Sequence, residues 1–245
     1  MPTLEAYSRA LDYSYAPGIF PSMEALKNAP ERVRRLLLSS RADTSEGAQI
    51  LKTLCEKNHV RVEIADKALA RISGKENCFA AAVFEKAQSA LQKSAPHIVL
   101  HHPSDAGNLG TILRTALGMG YEDIAVIRPA ADAFDPHVVR ASMGALFSLR
   151  LREYDSFDEY GTEFAQNTFY PFMLDGSCSL ETAVAEAHTP FSLIFGNEGA
   201  GLPPEFARLG RPVRISHNNK IDSLNLSVAA AIGMYEFGKA MKHHG

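Results

Sequence analysis

The chain has 245 residues, of which 46% are hydrophobic, and its 25 Lys and Arg against 28 Asp and Glu give a net charge of −3. This composition is typical of a soluble globular protein with one large domain or two smaller ones. No apolar run reaches the roughly 18 residues that a membrane helix needs, and no basic-then-apolar leader opens the sequence. We therefore expect a cytoplasmic protein with no membrane partner.

The three cysteines, Cys55, Cys78 and Cys178, are scattered and form no CxxC or Cys/His ligand pattern. We expect them to be reduced, and we expect no metal site. His101, His102 and His217 also lack a partner at ligand spacing, so surface or strand-end positions are predicted for them.

The charge is divided unevenly along the chain. Residues 1–96 carry 14 Lys and Arg against 11 Asp and Glu, whereas residues 97–245 carry 11 against 17. The basic half contains the cluster Arg32, Arg34, Arg35 and Arg41. Phosphate binding requires positive charges that are close in space. An RNA-binding surface and a solvated helix end or turn are therefore both open interpretations.

The first 90 or so residues have the pattern of a small α/β layer. A polar lead-in precedes predicted helices at 22–28, 49–58 and 66–72 and predicted strands at 34–40, 60–64 and 79–84. Residues 86–96 are polar and end in proline, so a linker or a linking helix is predicted there.

From residue 97 onward, strands and helices alternate more clearly. Apolar runs of strand length occur at 97–102, 124–128, 147–151, 168–174, 191–196 and 212–216. Helical segments are predicted at 110–118, 136–145, 157–166, 180–186 and 204–208. This alternation predicts a mostly parallel sheet covered on both faces, in which ligands bind beyond the carboxyl ends of the strands.

Three polar turns follow candidate strands. In the first, residues 105–108 can cap a helix beginning near Leu109, and that helix carries Arg114. Arg114 is either an ordinary exposed arginine or a guanidinium fork able to grip a phosphate. In the second, Gly196, Gly199 and Gly201 surround Glu198, without a dinucleotide or Walker fingerprint.

The third turn begins a helix. Ser223 and Asn225 precede an apolar series of good helix formers that runs to about residue 236. Short polar side chains at such a position cap the free amides of a helix start. Because each turn follows a candidate strand, the fold can bring all three to one edge of the sheet.

The segments NLGTILR (108–114), FGNEGAGL (195–202) and SLNLSVAAAIG (223–233), in this order, resemble the three motifs of the SpoU (TrmH-type) RNA 2′-O-ribose methyltransferases. The resemblance implies the trefoil-knotted SPOUT fold for a methyltransferase domain at residues 97–245. More weakly, residues 1–90 resemble the L30e-like RNA substrate-binding domain of ribosomal RNA members.

The resemblance also implies roles for individual residues. S-adenosyl-L-methionine would be bound by Gly196, Asn197, Glu198, Gly199, Ile215 and Leu224. The catalytic positions would be Asn108, Arg114, Glu198, Ser223 and Asn225. RNA would be bound by Arg32, Arg34, Arg35 and Arg41, and the protein would be a homodimer formed through its C-terminal domain. Two departures affect the cofactor region: Ala106 replaces a proline, and Ser216, His217 and Asn219 replace the family's proline, methionine and glycine.

The implied reaction is methyl transfer to a ribose 2′-hydroxyl in RNA, with 23S ribosomal RNA favoured by the extra N-terminal domain. A transfer RNA substrate and a non-catalytic RNA-binding module that keeps the fold are the alternatives. A different α/β enzyme would require a phosphate fingerprint or a nucleophile elbow, and neither is present.

Overall fold

The computed structural model describes residues 5–73, 78–218 and 220–243, so the substituted position Asn219 lies outside the described residues. The chain forms two compact units. The first contains the described residues up to Ala87 together with Asp132–Ser148, and the second contains Gln88–Ala131 and the described residues from Leu149 onward.

The first unit is a four-stranded mixed sheet with helices. Its elements are β1 (Tyr13–Pro17), α1 (Ile19–Asn28), β2 (Val33–Leu38), α2 (Glu46–Lys57), β3 (Arg61–Ile64), α3 (Asp66–Ser73), β4 (Ala80–Glu85) and, from the later segment, α5 (Pro136–Ala141). The strand order is β1-β4-β2-β3, with β2 parallel to β3 and the other neighbours antiparallel.

Two features of this unit differ from the predictions. The polar lead-in contains β1, whose residues are mostly buried because the strand pairs with β4. The segment Asp132–Ser148, predicted as part of the second domain, packs in the first unit instead. The Ser14 hydroxyl donates to the Phe134 carbonyl, and the Phe147 ring meets Phe84 edge-on at 4.8 Å. Such long-range packing leaves no periodic trace in the sequence.

The second unit contains the parallel sheet. Its elements are β5 (His97–His101), α4 (Ala106–Gly118), β6 (Asp123–Ile127), β7 (Arg150–Tyr154), α6 (Phe157–Glu163), β8 (Thr168–Pro171), β9 (Cys178–Ser179), α7 (Leu180–Ala185), β10 (Phe191–Phe195), β11 (Val213–Arg214) and α8 (Leu226–His243). A short 3-10 turn covers Pro204–Arg208 in this unit, and another covers Ala145–Ser148 in the first unit.

The five central strands run parallel in the order β7-β6-β5-β10-β8. From β5 the chain continues to β6 and β7, which lie on one side of β5. The later strands β8 and β10 lie on the other side of β5. The strand order therefore reverses between β5 and β10, and the crevice at such a switch point is where ligands bind in open α/β sheets. The predicted α/β architecture with a parallel sheet is confirmed.

Both faces of this sheet are buried. One face packs on a cluster that includes Val99, Ile127, Tyr160, Phe164 and Ile194. On the other face α4 packs against α8, and the buried Tyr121 hydroxyl donates to the Met234 carbonyl at 3.0 Å. Strands covered on both faces explain the continuous apolar runs in the sequence.

Several boundaries in the structure differ from the predicted ones. β7 begins three residues later than predicted, because residues 145–148 form a 3-10 turn. The predicted strand at 212–216 shortens to β11, which pairs with β9 outside the five-stranded sheet. Residues 86–96 contain no helix. Among the described residues, no helix is both long and apolar enough to cross a membrane.

A buried polar network crosses the sheet from β5 to β10. His97 Nε2 lies 2.8 Å from the Gln92 carbonyl, so this nitrogen carries the proton and Nδ1 accepts from the Tyr160 hydroxyl at 2.9 Å. The Tyr160 oxygen also contacts the Ser192 hydroxyl at 2.6 Å, and Asn167 Nδ2 donates to Ser192 at 3.0 Å. Burial lowers the pKa of His97 and keeps the ring neutral.

Removing the Tyr160 hydroxyl leaves buried partners unpaired. We expect Tyr160→Phe to lower the free energy of unfolding by about 1–3 kcal/mol, as measured by urea denaturation. Tyr170→Phe is the matched control, because Tyr170 is also buried but its hydroxyl makes no hydrogen bond with the described residues. Equal effects of the two substitutions would contradict a structural role for the network.

Candidate active site

Asn108 joins the three polar turns through hydrogen bonds. It lies in the first turn of α4, where its Nδ2 donates to Glu198 Oε1 at 3.3 Å. Its Oδ1 accepts from Asn225 Nδ2 at 3.1 Å. Glu198 belongs to the loop after β10, and Asn225 immediately precedes α8. The structure therefore brings together three of the residues predicted to be catalytic.

The Glu198 carboxylate is surrounded by donors. Its Oε2 accepts from the Ser104 amide at 3.0 Å and the Ser104 hydroxyl at 2.8 Å, and its Oε1 accepts from the Asp105 amide at 3.1 Å. Partial burial acts to raise the pKa of Glu198, but these hydrogen bonds outweigh it and hold that pKa below its ordinary value. A carboxylate so occupied is a poor proton acceptor. It instead holds the β10 loop against the start of α4.

Both helices at the site have side-chain caps. Asp105 Oδ1 accepts from the Asn108 amide at 2.7 Å, which starts α4 three residues before the predicted Leu109. Asn225 Oδ1 accepts from the amide and the hydroxyl of Ser227 at 2.9 and 2.7 Å. The predicted capping role of Asn225 is confirmed. The Asn225 carboxamide thus caps α8 through Oδ1 and donates to Asn108 through Nδ2.

The glycine loop is a tight hairpin with a defined backbone. Asn197 and Gly201 exchange backbone hydrogen bonds of 3.1 and 3.0 Å, and Gly201 has φ +68°. A Cβ atom on Gly196 would lie 2.2 Å from the Gly201 carbonyl carbon, so only glycine fits at position 196. Asn197 Oδ1 accepts from the amides of Gly199 and Ala200 at 2.9 and 3.1 Å. The loop is therefore preorganised.

A cavity of about 280 Å³ lies against this hairpin and is called the first cavity here. All six residues predicted to bind the cofactor line it: Gly196, Asn197, Glu198, Gly199, Ile215 and Leu224. Ser223 lines it as well, whereas Asn108, Arg114 and Asn225 are absent from its described lining. Its size is near the lower limit for a site that binds one small molecule.

The chemistry of the first cavity suits a cationic nucleoside. Leu202, Leu226 and Ile215 give it apolar walls for a planar ring. Asp175 and Glu198 give it carboxylates for a positive charge or for hydroxyl groups. Sequence reasoning missed Asp175, for which no signal was present, and discounted His217, which is half-buried and lines the cavity. It also missed Ser104, although a serine beside a capping aspartate could have indicated it.

Arg114 is exposed on α4, about 9 Å along the helix axis from Asn108. It forms no hydrogen bond or ion pair with the residues that the structure describes. Its guanidinium is consequently available to a ligand from outside the chain.

The basic cluster of the first unit is largely neutralised by acidic neighbours. Arg34 on β2 pairs with Asp12 at 2.6 Å and Glu85 at 3.1 Å, and Arg35 pairs with Glu63 at 3.2 Å. Arg32 is half-buried over the Phe84 ring, and Arg41 lies over the Phe79 ring at 5.8 Å. All four predicted RNA-binding arginines thus make contacts within the first unit.

Comparison with known proteins identifies the family. Residues 95–235 match the family model described as the SpoU rRNA Methylase family, so the chain belongs to this family. It is 32% identical over 144 residues to a putative tRNA (cytidine(34)-2′-O)-methyltransferase of Listeria innocua, a match that covers 57% of this chain and 85% of that protein.

Two further relatives extend the comparison. A 23S rRNA (uridine(2479)-2′-O)-methyltransferase of Streptomyces viridochromogenes is 32% identical over 145 residues, covering 57% of this chain and 50% of that protein. The AdoMet-bound crystal structure of an rRNA methyltransferase from Sinorhizobium meliloti superimposes with a TM-score of 0.77 and 26% identity, over 95% of this chain and 88% of that one. The chain spans about half the length of several curated relatives that it matches.

Replacing the Glu198 carboxylate by an amide tests whether Glu198 holds the β10 loop against the start of α4. In Glu198→Gln one oxygen acceptor becomes a donor that faces the donors of Ser104, Asp105 or Asn108. We expect the free energy of unfolding to fall by about 1–3 kcal/mol, measured by chemical denaturation. Glu205→Gln, at an exposed position of the following 3-10 turn, should change it by less than about 0.5 kcal/mol. If Glu198→Gln left the free energy of unfolding unchanged, this structural role of Glu198 would be refuted.

Proposed function

We propose that the protein transfers a methyl group from S-adenosylmethionine to a ribose 2′-hydroxyl in RNA. The observation that carries this proposal is the Asn108 bridge, which joins Glu198 and Asn225 beside the first cavity. The names of the Listeria innocua and Streptomyces viridochromogenes relatives, both 2′-O-methyltransferases, support the same reaction.

The first cavity is the proposed cofactor site. S-adenosylmethionine supplies a methyl group that the positive charge of its sulfonium has activated. The hairpin residues Gly196, Asn197 and Gly199 would hold it with main-chain groups, and Ile215 and Leu224 would give it apolar walls. Glu198 and Asp175 add negative charge to the lining. The AdoMet-bound Sinorhizobium meliloti relative supports this choice of cofactor.

Arg114 is the proposed catalytic cation. A guanidinium group stays charged in proteins, so it does not serve as a base at neutral pH. It can instead bind the phosphate next to the target ribose and stabilise the alkoxide that develops as the 2′-hydroxyl loses its proton to solvent water. Asn108, Ser223 and Asn225 would orient the ribose. Their role is positioning, which can supply several kcal/mol of the barrier.

The proposed substrate is 23S ribosomal RNA, bound in part by the first unit acting as an L30e-like domain. Because Arg32, Arg34 and Arg35 are engaged within that unit, they contribute less to RNA binding than their sequence suggests. Arg41 is exposed in the 3-10 turn Ser40–Ala42 that follows β2, and it is the member we favour as an RNA contact. Transfer RNA is the second candidate, because the match covers 85% of the Listeria innocua relative, which is named as a putative tRNA methyltransferase. Mapping 2′-O-methyl groups in total RNA with and without the protein distinguishes the two.

We further infer a cytoplasmic homodimer whose C-terminal segment forms the trefoil knot of the SPOUT fold. The support for a dimer lies on α8, which exposes Val228 and Tyr235 to 47% and 57% beside the face that packs on α4. Apolar side chains exposed along one helix are typical of a surface that a second subunit covers.

Arg114→Lys separates catalysis from cofactor binding. Lysine keeps the charge but loses the planar fork, so we expect turnover of RNA to fall by about two orders of magnitude. The affinity for S-adenosylmethionine, measured by calorimetry, should stay within about twofold, because Arg114 does not line the first cavity. Arg208→Lys, an exposed arginine of the same unit, is the control. Loss of cofactor binding in Arg114→Lys would contradict this division of roles.

The dimer is tested by placing charge on α8. We expect Tyr235→Glu to yield a monomer of about 26.7 kDa in size-exclusion chromatography with light scattering, against twice that mass for the unsubstituted protein. Leu209→Glu, at a residue 39% exposed outside α8, should stay dimeric. A monomeric unsubstituted protein would refute the inferred assembly.

A further inference from the structure

A second cavity of about 660 Å³ borders the same glycine hairpin. It shares Asn197, Ala200, Gly201 and Leu202 with the first cavity. The rest of its wall comes from His101 at the end of β5, from His102 and Ser104 in the following segment, and from the prolines and alanines at 129–131 and 203–204. The reaction proposed above assigns no ligand to this cavity.

His101 lines this cavity and is buried, with no polar partner among the residues that the structure describes. Its side chain is 7% exposed, stacks on the His102 ring at 3.8 Å and meets the Phe206 ring edge-on at 4.9 Å. Neither ring nitrogen forms a hydrogen bond with the described residues, and Nδ1 is completely buried. Burial lowers the pKa of His101 to about 4, so the ring is neutral at physiological pH. Because Nδ1 is closed off, Nε2 is the ring nitrogen with which a ligand in the cavity can pair.

His102 links the second cavity to the glycine hairpin. Its φ of +57° places a non-glycine residue in the left-handed region, where such conformations concentrate at functional sites. Its amide donates to the Ile127 carbonyl at 3.1 Å, and its carbonyl accepts from Asn197 Nδ2 at 2.8 Å. The backbone of His102 is therefore held by the hairpin that also carries Glu198.

Ser104 places the second cavity next to the proposed reaction centre. Its side chain belongs to the lining of the second cavity, and its hydroxyl donates to Glu198 Oε2 at 2.8 Å. A nucleotide whose ribose lies at Glu198 and Asn108 must place its base within a few ångströms of that ribose. The cavity that Ser104 borders is available to such a base.

We propose that the second cavity binds the base of the target nucleotide, with the stacked His101–His102 pair and Pro129 and Pro203 as its walls. This proposal rests on the proposed function. The buried ring of His101, with its apolar neighbours, suits an uncharged planar heterocycle with hydrogen-bonding edges. Aromatic surfaces bind unstacked RNA bases in this way.

Two leucine substitutions separate the cavities. Ala130 lines the second cavity and Ala229 lines the first. We expect Ala130→Leu to raise the KM for RNA about tenfold, the order of effect that loss of one stacked base produces, with an unchanged affinity for S-adenosylmethionine in calorimetry. Ala229→Leu should weaken cofactor binding instead. An unchanged KM for RNA in Ala130→Leu, or loss of cofactor affinity in that variant, would overturn the proposal.

His101→Phe tests the ring nitrogens while keeping the stacking area. We expect the KM for RNA to rise with kcat unchanged, because the base loses its hydrogen-bonding partner and the reacting groups are untouched. Histidine ¹⁵N spectra of the unsubstituted protein should shift at His101 and His102 when ribonucleoside 5′-monophosphates are added. Ala130→Leu should abolish those shifts.

The two proposals fail differently. If the unsubstituted protein methylates no RNA but its histidine resonances still shift with nucleotides, the proposed function is wrong and the base site stands. If it methylates RNA, and neither Ala130→Leu nor the nucleotide titration has an effect, the base site is wrong and the proposed function stands.

Discussion

The carboxamide of Asn108 is the interaction on which the candidate site depends. It donates to Glu198 and accepts from Asn225, which are 90 and 117 residues away along the chain. An amide can do both at once, whereas a carboxylate lacks the donor and a hydroxyl is too short to span the two partners. Because Asp105 and Asn225 each also cap a helix, the same bridge sets the starts of α4 and α8. The caps, the hairpin and the first cavity therefore form one cooperative unit.

The parallel sheet makes this bridge geometrically available. β5 and β10 are neighbours at the point where strand order reverses, so the segments that follow them emerge side by side. One contributes Ser104 and Asn108, and the other contributes the hairpin with Glu198. Since the hairpin is held by backbone bonds between Asn197 and Gly201, it presents fixed walls to the two cavities that border it. Preorganised walls reduce the ordering cost that binding would otherwise carry.

Charge at the site follows from this packing. Glu198 carries a lowered pKa because Ser104 and Asp105 donate to it, so its negative charge persists beside the first cavity. His101 is neutral because burial disfavours its charged form, so its ring offers hydrogen-bonding capacity to the second cavity without positive charge. Arg114 stays exposed and cationic. A single hairpin thus separates an anionic environment, suited to a sulfonium, from a neutral one, suited to a base.

The sequence by itself determined the alternation of strands and helices, the three polar turns, the family and the cap at Asn225, because periodicity, capping and short motifs are local properties. The tertiary structure decided what depends on partners distant in sequence. β1 exists because β4 pairs with it, Arg34 is neutralised because Asp12 and Glu85 lie beside β2, and Asp132–Ser148 joins the first unit through packing. His101 was predicted at the surface or at a strand end; it ends β5, but Phe206 and His102 bury its ring, and no local pattern encodes that contact.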